Sequence, residues 1–227
     1  MPMKSNELKT KEPARKNSKK ARRMDKAAYQ HAAPFVLWLG IVLLANMMHL
    51  TEGSASEDIK SLNLISLPWL YTLRTAICVV ALLICRPWKY YNALETKHIL
   101  PAIGIGVGVF VLWIGLETEV FKKLCPFLAN QYELWCVKPL GELRPELTST
   151  PYAPSVCGFA LTTVRFIGSA FVISIIEEFF WRGYLLRTAR TPDFLDIDIG
   201  ELHWPSFLIV AAIFAIEHNE VLAGFVC

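Results

Sequence analysis

The stretch Ser174-Ile175-Ile176-Glu177-Glu178-Phe179-Phe180-Trp181-Arg182-Gly183 decides how this chain is read, because it sets two adjacent carboxylates inside an apolar run. Arg165 and Arg187 bracket 21 residues, close to the ~20 that an α-helix needs to cross a hydrocarbon core. The midpoint of that interval is residue 176, so both acids are expected near the bilayer centre. A carboxylate facing lipid at that depth is costly, so intramembrane acids face a bundle interior or a wet cavity and carry function by default. Glu178 and Arg182 are four apart and share one helix face, whereas Glu177 points about 100° away. Arg182 then neutralises Glu178 and leaves Glu177 on its own face. A cluster that only glued helices together would account for Glu178 and Arg182. It would not account for a second acid, which adds desolvation cost without adding a partner.

The rest of the chain agrees with a membrane setting. Of its 227 residues, 54% are hydrophobic and 19% charged, and the mean hydropathy is +0.38. That is more apolar than an ordinary soluble domain and excludes general disorder. The net charge of +3 conceals an asymmetry, since residues 1–33 hold ten Lys or Arg against three acids. Next to an apolar span, such an arm fixes orientation and touches anionic lipid, a simpler role than binding nucleic acid, which is not expected as a partner.

Five stretches approach spanning length, at about 34–50, 67–85, 99–116, 156–186 and 204–227. The expectation is an all-α polytopic bundle, with a cytoplasmic arm over 1–33 and a transmembrane domain over 34–227. Basic residues flanking the spans put the N-terminus in the cytoplasm of the inner (plasma) membrane. Arg74 is the only charge within the second span. Gly104, Gly106 and Gly108 in the third suit close helix packing, and GxGxG in that setting lacks the strand and polar helix start of a nucleotide loop. Between 117 and 155, Pro, Gly and Lys break the helical pattern. Six cysteines lack zinc-like spacing, so no metal or other cofactor is expected. Cys125 and Cys136 share one connection and leave a disulfide open in an oxidising compartment.

The fifth span supplies a second polar group. Phe214-Ala215-Ile216-Glu217-His218 puts a histidine near its middle, at a depth comparable to the glutamates. Short connections make consecutive helices neighbours, which brings Glu177 and His218 toward one site.

Glu177-Glu178-x-x-x-Arg182, followed about 35 residues later by Phe214-x-x-x-His218, resembles the first two motifs of the CAAX protease and bacteriocin-processing family of intramembrane endopeptidases. The basic arm and modest length are similar to bacterial CAAX protease-related proteins found alongside exosortase systems. The motif-level resemblance covers roughly residues 170–220. It implies a glutamate-dependent peptidase in which Glu177 activates water together with His218, while Glu178 and Arg182 form a supporting pair. The substrate it implies is a protein or peptide delivered to the membrane, with lipid as the other partner. HExxH is absent, so the resemblance implies no metal.

The family's later motif, a histidine followed four positions on by a polar residue, has no counterpart here, because Leu222 stands at that position. The expectation is a chain truncated at its C-terminus, or oxyanion support from Asn219, with His203 as a donor only if the fifth helix begins earlier than read. The alternative is a catalytically impaired scaffold or immunity-type protein of the same fold.

Overall fold

A computed structural model describes residues 4–48, 57–92, 95–137 and 151–217. Among them the architecture is helical: α1 (Lys4–Met47), α2 (Glu57–Cys85), α3 (Ile99–Glu117), α4 (Glu119–Leu124), α5 (Pro126–Tyr132), α6 (Pro154–Ile167), α7 (Ser174–Phe180), α8 (Leu186–Thr188) and α9 (Trp204–Glu217). Three helical stretches are long and apolar enough to cross a membrane, Ser18–Ala45, Leu67–Tyr90 and Pro154–Thr188, and two shorter apolar helices cover Thr96–Val111 and Trp204–Glu217. The chain is an all-α integral membrane protein.

The basic arm and the first span are one helix. Lys, Arg, Ala and Met are strong helix formers, and α1 runs through position 33 as helix. The connection after α3 is likewise not a plain loop, because α4 and α5 occupy much of it. Thr118 caps α4 by accepting from the Phe121 backbone N–H at 3.2 Å. Cys125 and Cys136 are both free thiols.

The chain divides into two compact units, Met1–Tyr90 with Leu147–His203, and Tyr91–Glu146 with Trp204–Cys227. In the first, α1, α2 and the Pro154–Thr188 helix pack on one another. The close approach is at Gly168, where an added Cβ would lie 2.8 Å from both Thr75 Oγ1 and Tyr71 Cε1. Only a residue without a Cβ lets α2 pass so near. About three turns further along, Phe35 of α1 stacks on Phe180 with centroids 4.1 Å apart and meets the Trp181 ring edge-on at 5.4 Å. In the second unit, Gly104, Gly106 and Gly108 have nothing within 4 Å of their Cβ positions, so among the described residues the expected close packing at these glycines is not made.

Candidate functional site

The Glu177-Glu178 pair lies on α7, a seven-residue segment held between two π-helical turns, Gly168–Ile173 and Trp181–Leu185. Each π turn inserts one extra residue into the helical ladder and so re-aims the side chains that follow, an arrangement frequent at functional sites. Ile176, Trp181 and Gly183 are buried, which fixes one side of this stretch as the packed side. Glu178 and Arg182 are exposed and paired, with Arg182 Nη1 3.0 Å from Glu178 Oε1 and 3.1 Å from Oε2. Glu177 is half-buried, about 100° round the helix from Glu178. The i,i+4 spacing therefore settles one acid against its own helix and separates it from the other.

Helical backbone runs on beyond Arg165 as far as the break at Gly158 (φ 81°, ψ 159°), and the Arg165 guanidinium lies 4.3 Å from the Tyr71 ring centroid. The apolar stretch Pro154–Thr188, interrupted at that glycine, has 35 residues; it exceeds the ~20 residues a crossing needs. Aromatic rings can hold a guanidinium inside an apolar helix, so an arginine need not signal an interface.

The Thr188 end of this stretch lies beside polar groups of α1 that fall within residues 1–33. His31 of α1 is fully buried, and its Nδ1–H donates to the Ala27 carbonyl at 2.7 Å. Its ring meets Phe194 edge-on at 5.5 Å and Phe179, the neighbour of Glu178, at 6.1 Å. Tyr90 donates its hydroxyl to Gln30 at 2.7 Å. Buried Arg187 donates to the Gly183 carbonyl at 3.1 Å and covers the Phe194 ring at 5.4 Å. Lys20 bridges Asp193 at 2.7 Å and Asp196 at 2.8 Å, tying α1 to the turn after α8. The one sequence sign of this packing was Gln30-His31, two uncharged polar residues ahead of an apolar run.

His218 and Asn219 lie outside the described residues. His203 precedes α9, whose start at Trp204 agrees with the boundary read from the sequence, so it is not part of that helix. Among the described residues, no three His, Cys, Asp or Glu side chains form a metal-holding group.

Residues 159–227 match the family model described as type II CAAX prenyl endopeptidase Rce1-like. The match covers about the last third of the chain, which is similar to that family. No curated protein and no solved structure matches the chain. The Rce1-like segment contains Glu177, Glu178, Arg182, His218 and Asn219, and it supports the resemblance to the CAAX protease and bacteriocin-processing family.

Proposed function

We propose that the chain is a glutamate-dependent intramembrane endopeptidase, with Glu177 as general base and His218 as its partner. The observation that carries this reading is the Rce1-like match, which takes in Glu177-Glu178-x-x-x-Arg182 and Phe214-x-x-x-His218 together. The division of labour on α7 supports it, because Glu178 is engaged by Arg182 while half-buried Glu177 lies on another face.

In the reaction, a Glu177 oxygen accepts a proton from water as the water oxygen bonds to the scissile carbonyl carbon. His218 orients that water together with Glu177, the carbonyl π pair moves to its oxygen, and Asn219 is the donor toward that oxyanion. Collapse of the intermediate breaks the C–N bond, and the proton held by Glu177 passes to the departing amine. One peptide bond and one water become a carboxylic acid and an amine, with no net change at the glutamate. Glu178 and Arg182 position the helix and keep a second uncompensated charge away from the reacting carbonyl. The substrate is a protein or peptide segment that is extended or locally unwound at the membrane, because a helical peptide has its carbonyls already bonded. The surrounding lipid is that of the plasma (inner) membrane, with the N-terminus cytoplasmic.

The test uses the full chain in proteoliposomes with a library of membrane-anchored peptides read by mass spectrometry. Wild type is expected to release fragments that disappear with Glu177→Gln and with His218→Ala at unchanged membrane yield. Undiminished release by Glu177→Gln would remove the glutamate from the reaction.

A further inference from the structure

Two cations within the apolar helices of the first unit have no part in the proposed hydrolysis. The Arg74 guanidinium carbon on α2 lies 4.6 Å from the Tyr71 ring centroid and 5.9 Å from that of Trp38 on α1. Arg165 lies 4.3 Å from the same Tyr71 ring and 5.0 Å from that of Tyr152. Two guanidiniums thus share one tyrosine, and among the described residues neither forms an ion pair with a carboxylate.

The same layer holds four buried donors that make no hydrogen bond, Trp38 Nε1, Tyr71 Oη, Arg74 Nε and Thr75 Oγ1. Tyr71 Oη and Thr75 Oγ1 come within 2.9 and 2.8 Å of one point, the place where a Cβ on Gly168 would lie. Aromatic faces attract the guanidinium charge but give its N–H groups nothing to donate to. Burying polar groups without partners is costly, and with two guanidiniums and an indole against two hydroxyls the layer has more N–H donors than acceptor oxygens. An oxyanion meets both needs together, as it supplies countercharge and several acceptor lone pairs, and it suits the planar fork of arginine.

We propose that the Arg74–Tyr71–Arg165 layer binds the phosphate of an anionic phospholipid. The surroundings favour an anion carried on acyl chains over one that must leave water alone. Both arginines lie on helical stretches long and apolar enough to cross a membrane, and the neighbouring Leu73, Ile77, Phe166 and Ile167 are exposed. Arg74 stands seven residues after Leu67, or about 10 Å along the helix. Its long stem and that of Arg165 can reach toward a headgroup from that depth. Both guanidiniums are half-buried, so the phosphate meets them at the edge of the unit, with the Tyr71 and Thr75 hydroxyls behind.

The full chain is reconstituted in nanodiscs of mixed phosphatidylglycerol and phosphatidylcholine, extracted into mild detergent, and weighed by native mass spectrometry. Preferential retention of phosphatidylglycerol is expected, falling about tenfold or more in the double variant Arg74→Gln with Arg165→Gln, since two charge-assisted contacts are lost. Thr75→Val removes one donor and keeps the branched shape, and it should lower retention about threefold. Equal retention of the two lipids, or retention unchanged by these variants, overturns the proposal. Inorganic phosphate at millimolar concentration should leave the lipid in place; displacement by it would assign the site to a free anion instead. If the double variant does not fold, Thr75→Val and Arg165→Lys decide the matter by the same readout. Lipid mass is measured without any cleavage, so the outcome is independent of the peptidase reading.

Discussion

The Pro154–Thr188 helix settles charge in two different ways along its length. At Glu178 the carboxylate takes its cation from the same helix, one turn on. At Arg165 the cation is held by rings, one of them Tyr71 on α2, and this requires α2 to come within touching distance at Gly168. The first device is local and leaves the rest of α7 open for chemistry. The second is tertiary and joins helix to helix. An apolar helix can therefore carry both a reactive segment and an assembly segment, separated by a π turn.

The separation can be broken from the acidic side first. Glu177→Gln keeps size and hydrogen-bonding capacity but removes the base, so cleavage should fall by ~10²-fold or more, the usual range for lost general-base catalysis. The helix contacts at Gly168 do not involve this residue, and resistance to unfolding in detergent should be unchanged. A variant that lost activity only because it unfolded would show both effects together in parallel cleavage and unfolding assays.

The next largest effect is expected from the assembly side. Gly168→Ala would set a methyl group 2.8 Å from Thr75 Oγ1 and Tyr71 Cε1, and α2 would have to move. Overpacking of this kind costs ~1–3 kcal/mol. Gly104→Ala and Gly106→Ala meet open space, and by relieving a poor helix former should stabilise α3 by up to ~1 kcal/mol each. Denaturant titrations in detergent that ranked the three substitutions alike would deny Gly168 its role at the crossing.

These glycines also show what the sequence could and could not disclose. Hydropathy marks the apolar helices, three of them of spanning length and two shorter, and the i,i+4 rule pairs Glu178 with Arg182, because both depend on neighbours along one chain. A repeated glycine pattern drew the eye to α3, yet the close contact is at an isolated glycine whose partner, Tyr71, lies nearly a hundred residues earlier. Arg165 is a charge in an apolar run, which normally suggests an interface. Its aromatic partners come from α2 and from the turn before α6, and no local period announces them. His31 falls within the basic arm, and the burial of its ring against Phe194 and Tyr90 depends on elements far along the chain. Charge counted along the chain reports composition, whereas burial depends on which helices meet.

The smallest expected effect gives the finest comparison, replacement of each arginine by lysine. At position 182, one nitrogen, Nη1, contacts both carboxylate oxygens of Glu178, at 3.0 and 3.1 Å. A single ammonium can occupy that place, so Arg182→Lys should change stability by less than ~0.3 kcal/mol, within the worth of an i,i+4 pair. Arg182→Ala removes the pair altogether and, with side-chain exposures of 68% for Arg182 and 55% for Glu178, should cost about 0.3–0.5 kcal/mol. At position 165 the plane of the guanidinium matters, because it lies over two rings, and a lysine offers no plane. Arg165→Lys should therefore cost ~0.5–1 kcal/mol, the value of a moderately exposed cation–π contact. Unfolding measurements on the three variants and the wild type resolve the order. If Arg165→Lys proved as silent as Arg182→Lys, charge alone would hold the aromatic layer together. If Arg182→Lys proved the costlier of the two, Glu178 would need a fork that the single-nitrogen contact does not display.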